Sequence, residues 1–157
     1  MERDTLYELF VLFEVIDSMN KIGKLEELNL IRSGAESIGT FKVRGQTVRV
    51  YFQRIKGLLE RSKYKQIFED YDLDVSLRRP DIILHVEEQN KLLIIEVKRT
   101  KDKKYIVDSV YKVLGYIADF EEHFAQKQKL RGVLVVWSNI KRLRKTEQAI
   151  AILAHNE

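Results

Sequence analysis

Residues 80–98 read Pro80-Asp-Ile-Ile-Leu-His85-Val-Glu-Glu-Gln-Asn90-Lys-Leu-Leu-Ile-Ile95-Glu-Val-Lys98, two apolar runs separated by four polar residues. Asp81 to Val86 and Lys91 to Lys98 have the length and apolar content of strands, and Glu87-Glu88-Gln89-Asn90 supplies a turn, so the stretch predicts a β-hairpin. The second run is too apolar to have a wet face, which places it centrally in a sheet. At the end of the hairpin away from the turn, Asp81 begins one strand while Glu96 and Lys98 close the other. A separation of two in a strand puts Glu96 and Lys98 on one face and turns Val97 to the other. Pro80, the one proline of the chain, stands where a residue without an N–H is tolerated, just ahead of a strand.

These residue types carry a definite chemistry. An aspartate and a glutamate ending in one crevice make a hard oxygen site suited to Mg²⁺ or Mn²⁺, and a lysine beside them stabilises the extra charge of a pentavalent phosphate or orients an attacking water. The competing reading is a Glu96–Lys98 surface ion pair, worth about 1 kcal/mol or less. The apolar run Leu92 to Ile95 weighs against it, because burying Glu96 without a metal or a paired cation is costly.

Working outward, Asp4 to Met19 is apolar nearly all round and predicts a buried helix, capped by Asp4 or Thr5 and stopped by Gly23. Residues 24–45 are punctuated by Gly34, Gly39 and Gly45 and read as turns or a frayed hairpin. Gln46 to Ile55 alternates as a half-covered strand, the first of the sheet in this reading. Residues 57–74 are polar, with a possible helix. Beyond the hairpin, Tyr105, Ile106, Val110, Val113, Leu114, Ile117 and Phe120 recur at helical spacing over 103–126. Gly132 to Trp137 is then an apolar strand, parallel to the one before the helix. Residues 143–154 read as a closing helix. The resulting class is α/β: helix, three mostly antiparallel strands, helix, strand, helix, with a mixed central sheet flanked by helices and a single domain over residues 1–157.

Composition narrows the partners. The 28 Lys and Arg against 24 Asp and Glu give +4, a balance favouring a polyanion. Basic residues concentrate at Lys98, Arg99, Lys101, Lys103 and Lys104, and again between Lys127 and Lys145, as a phosphate-binding rim or as solvated loops. The absence of cysteine excludes disulfides, thiolate metal sites and thiol nucleophiles and fits a reducing cytoplasm. The acidic start Met1-Glu2-Arg3-Asp4 is unlike a secretory signal, and no apolar run has the roughly 20 residues that span a bilayer. The expectation is a cytoplasmic protein with no membrane segment. His85 reads as a satisfied strand histidine, His123 and His155 have no partner at ligand spacing, Asp70, Asp72 and Asp74 make a poor Ca²⁺ loop, and Trp137 reads as core.

Pro80-Asp81, a gap of fourteen residues (82–95), Glu96-Val97-Lys98, then a helix and an apolar strand together resemble the PD-(D/E)XK nuclease superfamily, with its restriction endonuclease-like core. Within it, Leu6-Tyr-Glu-Leu-Phe10 followed by Val48-Arg-Val-Tyr-Phe52 looks like the nuclease modules of McrC-like restriction systems, with archaeal Holliday junction resolvases a second near comparison. The resemblance implies a Mg²⁺-dependent endonuclease, Mn²⁺ substituting, that hydrolyses DNA by activated-water attack. Asp81, Glu96 and the Val97 carbonyl would be metal ligands and Lys98 the catalytic lysine, with Arg99, Lys101, Lys103 and Lys104 along the nucleic acid. Many members add an acidic residue from the first helix. Glu8 shares a stripe with Val11, Leu12 and Val15, whereas Glu14 shares one with Asp17, Ser18 and Lys21, so periodicity selects Glu8. Members also place a Gln, Lys or Tyr from the next helix near the scissile phosphate, and Lys112 and Tyr116, one turn apart, match that pattern. Such modules work beside a recognition or motor subunit or as homodimers. The alternative is a catalytically silent module that kept the fold and binds nucleic acid or a partner protein.

Overall fold

The computed structural model describes residues 2–29, 37–53, 59–73, 77–121 and 131–155. Its strands are β1 Lys24–Leu28, β2 Gly39–Val43, β3 Gln46–Phe52, β4 Ile82–Val86, β5 Lys91–Lys98, β6 Gly132–Val136 and β7 Ile150–Ala154. They lie side by side in chain order in one seven-stranded mixed sheet. Strands β1 to β5 are antiparallel to their neighbours, while β6 is parallel to β5 and β7 to β6. The helices are α1 Arg3–Ile22, α2 Lys63–Asp70 and α3 Lys103–Phe120. Among the described residues, no helix is long and apolar enough to cross a membrane.

The hairpin forms as its sequence dictates. β4 and β5 pair from Ile82↔Ile95 to Val86↔Lys91, and the turn closes through Asn90, whose φ of 48° is one that asparagine tolerates. Alternation along β5 then divides the core. Ile95 and Val97 pack with Tyr7, Val11 and Leu12 of α1, whereas Leu92 and Ile94 pack with Val113, Tyr116 and Ile117 of α3. One helix therefore covers each face, and β5 is buried on both, as its unbroken apolar run requires.

Four expectations need correction. The closing helix over 143–154 is absent from the described residues, and its second half is strand β7. Ile150, Ile152 and Ala154 turn to Leu134 and Val136 of β6 and to α3, a period of two hidden in a run of Ala, Ile and Leu. Pairing with the otherwise open edge of β6 overrides helix propensity there. Residues 24–45, read as turns or a frayed hairpin, hold two full strands: β1 is a charged edge, and β2 joins β3 through Arg44 (φ 50°) and Gly45 (φ 77°), the positive-φ pair of a tight hairpin turn. The strand Gln46–Phe52 is consequently third in the sheet, and residues 54–55 lie outside the described residues. Finally, α1 is two-faced: Tyr7, Val11, Leu12 and Met19 are buried, but Leu6, Phe10 and Phe13 are each about half exposed (59%, 48% and 51%). It starts at Arg3 with no side-chain cap, and Gly23 ends it as expected.

Asp102 caps α3 by accepting from the Lys104 N–H at 2.9 Å, and α3 ends at Phe120. His85 meets Asn90 Oδ1 at 3.1 Å. His155, which the sequence left without a partner, shares a 2.8 Å hydrogen bond with the Tyr7 hydroxyl and so ties the end of β7 to α1. Trp137 packs edge-on to Tyr7 at 5.5 Å. His123 and Asp74 lie outside the described residues.

Candidate active site

At the carboxyl end of β5 the ladder with β4 ends at Ile82↔Ile95, and the next residue on each side is Asp81 and Glu96. Alternation sends both side chains to the α3 face, with Ile83 and Ile94. The two carboxylates are 9% and 3% exposed by residue. Asp81 Oδ2 accepts from the Val97 backbone N–H at 2.8 Å, fixing the aspartate across the strand junction. Glu96 Oε1 accepts from the ammonium of Lys112, one stripe of α3, while Glu96 Oε2 is buried with no hydrogen-bond partner. Glu8 of α1 approaches from the other face; its Oε2 accepts from Gln53 Nε2 at 2.5 Å.

These groups line one open cleft of about 390 Å³, together with Val97, Lys98 and Arg99 from the end of β5. Both Lys98 and Arg99 are exposed. Lys98 Nζ stands 5.9 Å from the centre of the Tyr105 ring, and the Arg99 guanidinium 5.8 Å from that of Trp137. Glu96 and Lys98 thus share a face, as their spacing predicts, and Val97 carries its side chain into the core beneath α1.

Crowding of carboxylates raises their proton affinity. Burial, and then the charge of Glu96, lift the Asp81 carboxyl to about 7. Burial also raises Glu96, opposed by Lys112, and raises Glu8, opposed by its Gln53 hydrogen bond. The buried part of the site therefore holds negative charge poorly even with Lys112 beside Glu96. A divalent cation is the chemical complement of such a set, and the orphaned Oε2 of Glu96 is an oxygen available to one. As they stand, however, no group of three or more His, Asp or Glu among the described residues is close enough to hold a metal ion.

The other expected residues are distributed unevenly. Tyr116 lies on the same stripe as Lys112, whose ammonium is 5.8 Å from its ring centre. Its hydroxyl is buried without a partner, and burial raises its pKa far above the tyrosine value. Lys101, Lys103 and Lys104 are exposed but lie outside the cleft lining, at or just before the first turn of α3. Sequence reasoning missed Asp4, Arg78 and Asp108, all of which line the cleft. Signals for them existed: Asp4 is one turn before Glu8, Asp108 one turn before Lys112, and Arg78 two residues before Pro80.

No family model matches the chain, and no curated protein and no solved structure matches it at a significant level.

Proposed function

We propose that this protein is a divalent-metal-dependent phosphodiesterase of the PD-(D/E)XK type, a nuclease whose first substrate is DNA. The observation that carries the reading is the convergence of Asp81, just ahead of β4, and Glu96, near the end of β5, on one cleft with Lys98, with Glu96 Oε2 buried and unpartnered. The order helix, antiparallel hairpin, helix, parallel strand supports a restriction endonuclease-like arrangement in which β6 and β7 extend the sheet.

In this reading Asp81, Glu96, the Val97 carbonyl and Glu8 hold Mg²⁺ or Mn²⁺. Such a cation supplies Lewis-acid stabilisation of charge on a phosphoryl oxygen. Lys98, on the wet side of the cleft, orients the attacking water or meets the charge gathering on the phosphate. Lys112, now balancing Glu96, lines the same cleft and would be free to meet a phosphate there if a bound cation took over that balance. Lys103 and Lys104 sit in the first turn of α3, where the helix dipole disfavours cations by about 0.3–1 kcal/mol each. A phosphate backbone passing that turn gives the placement a purpose.

One observation favours a second reading, a nuclease-fold module that binds nucleic acid or a partner without cleaving. The Lys112 ammonium occupies Glu96, and the described carboxylates do not close into a metal cage. Incubating the protein with supercoiled, linear and branched DNA and with RNA, in Mg²⁺, Mn²⁺ or EDTA, decides between the two. Metal-dependent cutting lost in Asp81→Ala and Lys98→Ala supports the nuclease. Salt-sensitive binding without cutting in either metal supports the silent module.

A further inference from the structure

A second cavity, of about 360 Å³, opens between α2 and α3 beside the cleft, and Arg78, Asp108 and Lys112 line both. Its volume lies within the ~300–1,000 Å³ of pockets that enclose small ligands. Tyr64, Phe68, Tyr111 and Tyr116 contribute aromatic surface, so this cavity is apolar where its neighbour is charged. Tyr64 and Tyr111 are 43% and 73% exposed while lining it.

The walls are held deliberately. Asp119, buried, accepts from the Ser62 hydroxyl at 2.6 Å and from the Lys63 N–H at 2.5 Å, clamping the start of α2 to α3. Ser62 in turn accepts from the Lys65 N–H and caps α2. Gly115 lies in the interior of α3 and lines the cavity. A glycine there costs the helix about as much as one good cap contributes. A Cβ at that position would stand 3.0 Å from the Tyr64 hydroxyl, narrowing the space between the two helices.

We infer that this cavity receives one unpaired nucleobase of the strand whose phosphate lies in the adjoining cleft. The inference rests on the nuclease-fold reading in taking the ligand to be nucleic acid. Flat aromatic walls suit a base, which stacks without regard to sequence. Arg78 and Lys112, at the boundary shared by the two cavities, suit the phosphate joined to it, and the Asp108 carboxylate can accept from an exocyclic amino group. A base in a duplex cannot enter, so the favoured substrate is single-stranded, bulged or frayed.

The experiment measures binding of a fluorescent 12-nucleotide single strand by anisotropy in EDTA, where cleavage cannot interfere. Parallel arms use a strand of equal length that is abasic at every position, the fully paired duplex, and deoxyadenosine monophosphate as competitor. The inference expects the intact strand to bind more tightly than the abasic strand and the duplex. Tyr111→Ala should weaken the intact strand by roughly 5- to 150-fold, the value of one base stack, and leave the abasic strand and the salt dependence unchanged. Tyr64→Phe should retain wild-type binding, whereas Tyr64→Ala should behave as Tyr111→Ala. Equal affinity for intact and abasic strands, or variants indifferent to the base, would overturn it. So would tighter binding of the mononucleotide than of the oligonucleotide, which would make the occupant a free nucleotide. Base-dependent binding by a protein that never cleaves would remove the nuclease function and leave this pocket assigned. Base-independent binding by an active metal-dependent nuclease would do the reverse.

Discussion

The ammonium of Lys112 lies against Oε1 of Glu96, joining α3 to the end of β5, while the other oxygen of the same carboxylate is buried without a partner. The glutamate side chain is 4% exposed and that of the lysine 28%. Half of this carboxylate is therefore satisfied from within the protein and half is not, and the consequences for stability and for activity run in opposite directions.

Replacing Lys112 by Met keeps the length of the side chain and removes the cation. Glu96 is then buried with no counter-charge, so the metal-free protein should lose about 1–3 kcal/mol, the cost of an unsatisfied buried polar group. Urea titration at pH 8 measures it. Double substitution with Glu96→Gln should recover most of the loss, because the charge needing Lys112 has gone.

Asp81→Asn should separate stability from function. The amide oxygen still accepts from the Val97 N–H, but the charge that burial and Glu96 disfavour is gone. Thermal melts in EDTA at pH 8 should show a gain of about 1 kcal/mol or more, a rise of roughly 2–4 °C in Tm per kcal/mol. Metal-dependent cleavage should vanish in the same protein. A lowered Tm would show that Asp81 is stabilising as an anion and that the crowding argument is wrong.

The pH dependence has a defined sign. The Asp81 carboxyl has its ordinary value of 3.8 when unfolded and is raised to about 7 in the fold. The native state holds this proton more tightly, so the contribution is complete below pH 4 and is lost as pH rises through 7. Isolated from other groups by comparison with Asp81→Asn, stability in EDTA should fall across that window. Millimolar Mn²⁺ should restore it at the high end, where the deprotonated carboxylates are free to bind.

Lys98→Ala should leave the fold intact, within about 0.5 kcal/mol by denaturation, because the side chain is exposed. Cleavage should drop by about 10²- to 10⁴-fold, the usual contribution of a positioned proton-handling group, with DNA affinity little changed. Retained cleavage would remove Lys98 from the chemistry.

Gly132 tests how α3 is seated. A Cβ there would stand 2.6 Å from Val113 Cγ1, a fully buried side chain with no room to move. Gly132→Ala should destabilise by about 1–3 kcal/mol through overpacking between β6 and α3. Since α3 carries Lys112 and Tyr116, a partially folded variant should lose DNA binding along with stability.

By itself the sequence determined the hairpin, the helix that follows and the parallel strand beyond it. Each has a strong local period, and the unbroken apolar run of β5 could only be buried on both faces. The shared face of Glu96 and Lys98, the choice of Glu8 over Glu14 as the half-buried acid, and the common stripe of Lys112 and Tyr116 follow from those same periods. Tertiary structure decided the rest. Ile150 to Ala154 became a strand because the edge of β6 needed hydrogen bonds, a demand made by a segment eighteen residues earlier that no local window contains. The partner of Glu96 was likewise invisible: only the packing of α3 on β5 brings the Lys112 ammonium to one oxygen of that carboxylate and leaves the other bare.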